Sequence, residues 1–502
     1  MDLLTDRYAD KIRGVLSCYD RVVIQGTLPG VCYAQGMTSF LNMRNIRIFD
    51  YPRFAEPLRD EIRENAERIA AENGLEIEFV RKNDFRKEKV IKDILKERGH
   101  HPGHVAIISA MEACPTYKPW HDKKTHKTFL KPSQGKCLHY YFYLIDEHLG
   151  LCYVRVPTWC PFRLQIYFNG HNWLEASLEK HNINYESIDN LIVSIGDFSK
   201  AQEFSDQLKV DFIHNKLDQF AKLYCPVIKK LELSYHWSVM QVEYATDIVF
   251  NRQSDLQAIY GQLARTAIHT VKPENISTFL GRKLHVNYQD EMGNNFNTRI
   301  EGTRIKHTMG PVSIKMYDKM GIALRIECTV NNLSFFKHYR EVEHRDGTCS
   351  LKLAPMKKGI YSLSPLRELL LAANHRYLEF ISSLDDNSAG MKNLNKVSKT
   401  VIENNRSYKG FNFFSDDDQQ LFEAVASGEY NISGFQNKNL RKKLLGKSSS
   451  QVSRLIKRLR THGLLKKIGR TYKYYLTKLG RKVIASGLKL KEFFVIPELA
   501  TV

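Results

Sequence analysis

From Tyr430 to Lys491 the chain carries no Asp or Glu and eighteen Lys and Arg. The formal net charge of the whole protein is +20, so removing these residues would leave about +2. The basicity is local, and a polyanion is the partner it predicts. The stretch is also patterned. Asn439 to Leu445 reads as a short helix ended by Gly446, with Leu440 and Leu444 inward. Ser448-Ser449-Ser450-Gln451 offers an N-cap and polar first-turn residues. Val452, Leu455, Ile456 and Leu459 then recur at steps of three and four, as one apolar helix face should. Arg454, Lys457, Arg458 and Arg460 take the remaining surface, and Gly463 stops the helix. Leu464–Lys467 and Lys473–Leu476 are short extended runs around Gly469-Arg470-Thr471, a hairpin with a basic tip. Thr477 can cap a last helix running through Ile484.

Helix, turn, helix, basic hairpin, helix, carried by "SSSQVSRLIKRLRTHGLLKKIGRTYKYYLTKLGRKVI", resembles the winged-helix DNA-binding domain of MarR-like bacterial regulators over roughly residues 415–487. The resemblance implies a recognition helix at Ser448–Arg460 and a wing at Lys466–Lys473. It places Ser449, Ser450, Gln451, Arg454 and Lys457 nearest the groove, with Arg458 on the same helix. It puts Lys466, Lys467, Arg470 and Lys473 on backbone phosphates. Independently of family, hydroxyl and amide groups at a helix start suit phosphate or base-edge contacts. A winged helix used for protein contacts is the alternative. The lack of acids argues against it, since ordinary surfaces mix both signs.

The remaining residues make this more than a small regulator. A chain of 502 residues holds two to four domains. No run of eighteen apolar residues occurs, so no transmembrane helix or membrane partner is expected. "MDLLTDRYADKIRG" is charged from the start, unlike a signal peptide. Nine Cys without a CxxC fit reduced thiols in a cytoplasmic protein.

In residues 1–190, Leu4–Gly14 reads as a helix, Arg21–Gly26 as a strand, Pro52–Asn73 as a long helix, Leu75–Val80 as a strand, Arg86–Arg98 as a helix and Val105–Ser109 as a strand. That alternation implies an α/β unit. Neither GxGxxG nor GxxxxGK[ST] occurs, which excludes the usual dinucleotide and P-loop sites. From Cys137 the period becomes two and aromatics accumulate. Tyr140, Tyr143, Tyr153 and Tyr167 could stack bases if exposed, or fill a sheet face covered by helices. The segment 114–139 reads as a basic solvated loop whose Lys118, Lys123, Lys124, Lys127 and Lys131 could touch phosphate. Its Cys114, His121, His126, Cys137 and His139 are zinc-ligand types without the paired spacing of a structural zinc site.

In residues 191–395, strands are expected at 296–308, 311–317 and 322–330, with Lys315 and Tyr317 on one face and Arg325 and Glu327 on one face of the next strand. "IKMYDK…LRIECTVNN" resembles a block of some phage and plasmid replication initiators, and singles out Tyr317, Asp318, Lys319, Arg325 and Glu327. Those proteins cleave one DNA strand with a Tyr nucleophile and a His-held metal; this chain has no His-hydrophobe-His triplet. The resemblance assigns catalysis to Tyr317, Asp318 and Glu327. A nuclease would need Mg²⁺ on converging carboxylates, for which Asp20, Glu112, Glu243, Asp247, Asp318 and Glu327 are the candidates. Arg325 and Glu327 could equally form a supporting ion pair. No GxSxG elbow is present.

The expected architecture is an α/β and α+β multidomain protein with a C-terminal winged-helix domain. It comprises an α/β domain with antiparallel extension at 1–190, a mixed α+β domain at 191–395, a linker at 396–414 and the winged helix at 415–502. The expected partner is duplex DNA or structured RNA, self-association is left open, and no cofactor is implied beyond Mg²⁺ for the nuclease alternative.

Overall fold

Strand β1, Ile12–Thr27, buries Tyr19, Val22 and Ile24 on one face and Leu16 and Cys18 on the other. A strand apolar on both faces belongs inside a sheet, and β1 is flanked on both edges. Expected to be helical up to Gly14, the chain instead forms only the turn Leu4–Arg7 before entering β1. Further strands are β2 (Ile77–Phe79), β3 (Gly103–Asp122), β4 (Lys127–Asp146), β5 (Gly150–Pro157), β6 (Leu164–Phe168), β7 (Tyr185–Ile188), β8 (Leu191–Ile195), β9 (His236–Phe250), β10 (Met292–Arg299), β11 (Gly302–Met309), β12 (Val312–Lys319) and β13 (Ala323–Val330). Eleven of them form one mixed sheet in the order β10-β11-β12-β13-β9-β1-β6-β5-β4-β3-β2, with β7 and β8 as a separate hairpin. All the sheet pairings are antiparallel except β2 with β3.

The computed structural model describes residues 3–81, 86–284, 288, 291–299, 302–385, 388–469 and 471–500. They fall into two compact units, Met1–Ser383 and Leu384–Val502. The boundary expected at residue 190 does not separate two units, because β1 pairs with β6 on one edge and with β9 on the other. Residues on both sides of 190 therefore share one sheet. Similarly, the strand expected at 296–308 is the hairpin β10–β11.

One sheet face packs on helices Ala34–Met43, Tyr51–Glu72, Val210–Tyr224, Gln253–Thr270 and Leu363–Asp385, joining Val22, Phe142, Val154, Ile166, Val242, Ile248, Ile314 and Ile326 in the main core. On the other face the helix Lys87–Arg98 covers Tyr141 and Tyr143 with Ile91 and Leu95. Tyr141 and Tyr143 are thus buried sheet packing, and Tyr140 points into the main core.

In the second unit, helices Ser388–Ser398, Asp416–Val425, Asn437–Lys443, Ser449–Thr461 and Lys478–Leu490 enclose Leu421, Phe422, Leu440, Val452, Ile456, Leu459 and Ile484. Residues 396–414 are not a linker: Val397 and Phe411 are buried in this core, and the short strand Val401–Glu403 pairs with Arg406–Tyr408. Ser448 caps the helix Ser449–Thr461, its Oγ accepting from the Gln451 amide at 3.3 Å while Gln451 Oε1 accepts from the Ser448 amide at 2.7 Å. The hairpin Leu465–Lys467 with Tyr474–Leu476 follows, and Thr477 caps the helix after it. Gly480 permits a close approach there, since a Cβ would lie 2.2 Å from the Leu464 carbonyl oxygen.

Candidate functional site

Between Tyr19 and Arg21 the β1–β9 register shifts, leaving Asp20 as the extra residue of a bulge. Bulges re-aim a side chain, and Asp20 joins the ions carried by β9, β12 and β13. The register sets Asp247 opposite Arg325, Ala245 opposite Glu327, Lys315 opposite Glu327 and Tyr317 opposite Arg325. These side chains therefore share one face. The fully buried Arg325 guanidinium donates to Asp247 Oδ1 and Oδ2 at 2.6 and 2.7 Å, to Asp20 Oδ2 at 3.1 Å and to the Asn190 carbonyl at 2.6 Å. Beside it, Lys315 Nζ lies 3.1 Å from Glu243 Oε1 and 2.5 Å from Glu327 Oε1, and the Tyr317 hydroxyl donates to Glu327 Oε2 at 2.7 Å.

The network closes on the start of the helix Gly170–Lys180. Gly170 is pressed against β1, where a Cβ would fall 2.3 Å from the Tyr19 carbonyl oxygen. That approach brings His171 Nδ1 to 3.4 Å from Asp20 Oδ1, and Nε2 to 3.8 Å from Asp247 Oδ2 and 3.2 Å from Cys18 Sγ. Burial would lower the His171 pKa, but Cys18, Asp20 and Asp247 push it well up, which favours the protonated ring. Burial would raise Asp20, yet Arg325 and His171 hold its carboxyl far below the usual range. Burial disfavours the Lys315 ammonium too, and Glu327 and Glu243 outweigh it. Asp20, Glu243, Asp247 and Glu327 thus gather around Arg325, Lys315 and His171, while Lys319 Nζ donates to the Asn190 side-chain oxygen.

Of the carboxylates proposed from sequence, Asp20, Glu243 and Glu327 offer oxygens within 4.8 Å of one another, the geometry of a cation site. Lys315 already holds Glu243 and Glu327, and Arg325 holds Asp20, so a metal ion would have to displace a tethered ammonium. Asp318 does not join them. Period two along β12 turns it to the opposite face from Tyr317, beside Tyr260. Burial and then the Glu327 charge push the Tyr317 phenol far up, so its ground state is a hydrogen-bond donor and not a phenolate. Glu112 lies apart: its carboxylate accepts from Arg155 Nη2 at 2.7 Å and from the Tyr141 hydroxyl at 2.7 Å. Burial opposes its charge, and Tyr141 and Arg155 hold its pKa down at about 2. Sequence reading missed Cys18, Asn169, His171 and Asn190; the only local trace of them is "FNGHN", where a glycine opens a helix.

In the second unit the helix Ser449–Thr461 exposes Ser449, Ser450, Gln451, Arg454 and Arg460. Gln451 spends its side-chain oxygen on the Ser448 cap. Lys466, Lys467 and Lys473 are exposed about the hairpin; Arg470 lies outside the described residues. Among the described residues Arg454, Arg460, Lys466, Lys467 and Lys473 form no ion pair. Two expected contact residues are otherwise engaged. Lys457 Nζ meets Glu403 Oε2 at 2.9 Å. Arg458 turns inward, donating to Asp418 at 2.7 and 3.0 Å and to the Lys409 and Gly410 carbonyls, with its guanidinium 3.9 Å from the Phe411 ring centre. An arginine at the edge of an apolar face can reach back over the core, and a buried carboxylate gave it reason to.

Of the zinc-type residues, Cys137 Sγ lies 3.8 Å from His139 Nδ1, while His121 and His126 are exposed at the far end of the β3–β4 ribbon. No helix among the described residues is long and apolar enough to cross a membrane. No family model, curated protein or solved structure matches the chain.

Proposed function

We propose that the chain is a nucleic-acid-binding protein, with a C-terminal winged helix that takes duplex DNA or a folded RNA and a larger N-terminal unit that organises the nucleoprotein complex. One observation carries this reading: among the described residues Arg454, Lys466, Lys467 and Lys473 are exposed and form no ion pair, while Lys447, nearer the acidic helix Asp416–Val425, is paired with Asp417. With Gln451 held in the cap, base reading falls to Arg454 and backbone contact to the hairpin lysines.

Titrating the full chain with duplex DNA across salt concentrations should give a log–log slope of roughly 0.9 per phosphate neutralised. Lys466→Ala/Lys467→Ala should lower that slope by about two phosphates on every sequence. Arg454→Ala should flatten preference among sequences while keeping most nonspecific affinity. Salt-independent binding, or equal losses on all duplexes for Arg454→Ala, would remove the groove-reading role.

A second reading, a metal-dependent DNA nuclease or a replication or transposition initiator of a mobile element, draws on the convergence of Asp20, Glu243 and Glu327. It requires Mg²⁺ to compete with Lys315. Under this reading Glu327→Gln abolishes Mg²⁺-dependent cleavage by the folded protein, whereas Asp318→Asn, on the opposite sheet face, leaves it intact. Cleavage that survives Glu327→Gln sinks the assignment.

A further inference from the structure

The segment expected to be a basic loop is a two-stranded ribbon. Residues 113–122 of β3 and 127–136 of β4 pair with each other, beyond the part of the sheet where β4 meets β5 at 139–146. Its inner face is fixed to the body. The Tyr117 hydroxyl donates to the Val31 carbonyl at 2.7 Å, and the amide of the buried Leu130 donates to Thr38 Oγ1 at 3.0 Å. Period two therefore turns Thr116, Lys118 and Trp120 outward, with Ser133, Lys131 and Phe129 opposite them in register. Trp120 is 49% exposed, and Lys131 Nζ sits 3.7 Å from its ring centre. Six lysines (118, 123, 124, 127, 131 and 136) face one acid in this ribbon, and Asp122 is occupied by the turn, accepting from the Lys124 amide and the Thr125 hydroxyl.

At the base of the ribbon, where its strands join the sheet, lies a cavity of about 170 Å³. Cys114, six residues and roughly 20 Å along the strand from Trp120, belongs to its wall. Gln25, Arg155, Trp159, Gln165 and Met240 also line it. The register places Gln25 opposite Gln165 and Gln165 opposite Arg155, so three hydrogen-bonding side chains stand in a row on one face. Arg155 is held rigid by Glu112. The cavity is below the roughly 300 Å³ at which pockets for drug-sized ligands begin. Its size suits one planar heterocycle, and its amides and guanidinium suit the edge of one.

We propose that the ribbon face and this cavity form a track for single-stranded nucleic acid, with a base stacked on Trp120, phosphates on Lys118 and Lys131, and one unstacked base seated in the cavity. The track deepens the nucleic-acid reading above but is independent of the C-terminal unit. A duplex fits it poorly, because its bases are already stacked on one another and offer the indole no face. Aromatic platforms beside lysines bind single strands in just this tolerant way.

The test uses the full chain and end-labelled single strands of DNA and of RNA, with a duplex as the third probe, read by fluorescence anisotropy. Trp120→Ala should weaken single-strand binding about tenfold, the weight of one base–aromatic stack, and leave duplex binding unchanged. Trp120→Phe should restore most of the loss, and Lys466→Ala/Lys467→Ala should weaken the duplex and spare the single strands. Ultraviolet crosslinking of a strand carrying 4-thiothymidine should give adducts at Trp159 or Met240. Unchanged single-strand binding by Trp120→Ala, or adducts that all fall outside the ribbon and cavity, overturns the track. Duplex binding without any single-strand binding overturns the track alone, and binding of neither probe overturns the function proposed above as well. Affinity for only one of the two sugars assigns the strand as DNA or RNA and sustains the track.

Discussion

Arg325→Met is expected to destabilise the N-terminal unit by about 3–5 kcal/mol, the usual cost of removing one partner from a buried ion cluster. The substitution keeps much of the side-chain volume but leaves Asp20 and Asp247 facing each other and His171 without the guanidinium that bridges the two carboxylates. Urea unfolding followed by near-ultraviolet circular dichroism should show a lowered midpoint. Arg325→Lys should recover only part of the loss, because one ammonium cannot hold Asp247 bidentately while reaching Asp20 and the Asn190 carbonyl. An Arg325→Met protein as stable as the parent would show that the cluster does not hold the sheet together. If that stable variant also lost a nucleic-acid cleavage activity, Arg325 would move from support to chemistry.

The second large effect concerns Arg458. Its side chain is only 17% exposed and that of its partner Asp418 only 9%. Arg458→Ala strands that carboxylate together with the Lys409 and Gly410 carbonyls. A loss of about 3–5 kcal/mol is expected, confined to residues 384–502 and seen as faster amide exchange there with the N-terminal unit unaffected. Arg454→Ala, a few residues away on the exposed side, should leave exchange unchanged. The two arginines look alike in sequence, so they separate a folding contact from a surface one. If both variants keep native exchange, the inward pairing of Arg458 contributes nothing measurable.

The pattern of the C-terminal stretch was open to reading because every signal in it is local. The Ser448 cap, the stop at Gly463, the hairpin and the Thr477 cap each depend on residues within a turn or two of one another, and all four occur where the spacing put them. Local signals also paired Lys315 with Tyr317 and Arg325 with Glu327 on strand faces, since side-chain alternation is a property of a single strand. The same logic explains two failures. A basic run with three prolines read as a loop, because nothing within it announces the cross-strand register that makes it a ribbon. Arg458 read as surface, because its partner is forty residues away.

From the sequence alone came the acid-free basic segment, its helix–hairpin–helix order, the polarity of its exposed face, and the absence of nucleotide-loop and nucleophile-elbow motifs. Tertiary structure alone decided that residues on both sides of 190 build one eleven-stranded sheet. It also decided that a bulge aims Asp20 at Arg325, 305 positions away, and that Asp318 and Glu327 face apart. The physical reason is that charge and helical period are written in neighbouring residues. Register, bulges and ion clusters depend on which distant strands meet, and burial then raises the energy of every unmatched charge until only one pairing remains favourable.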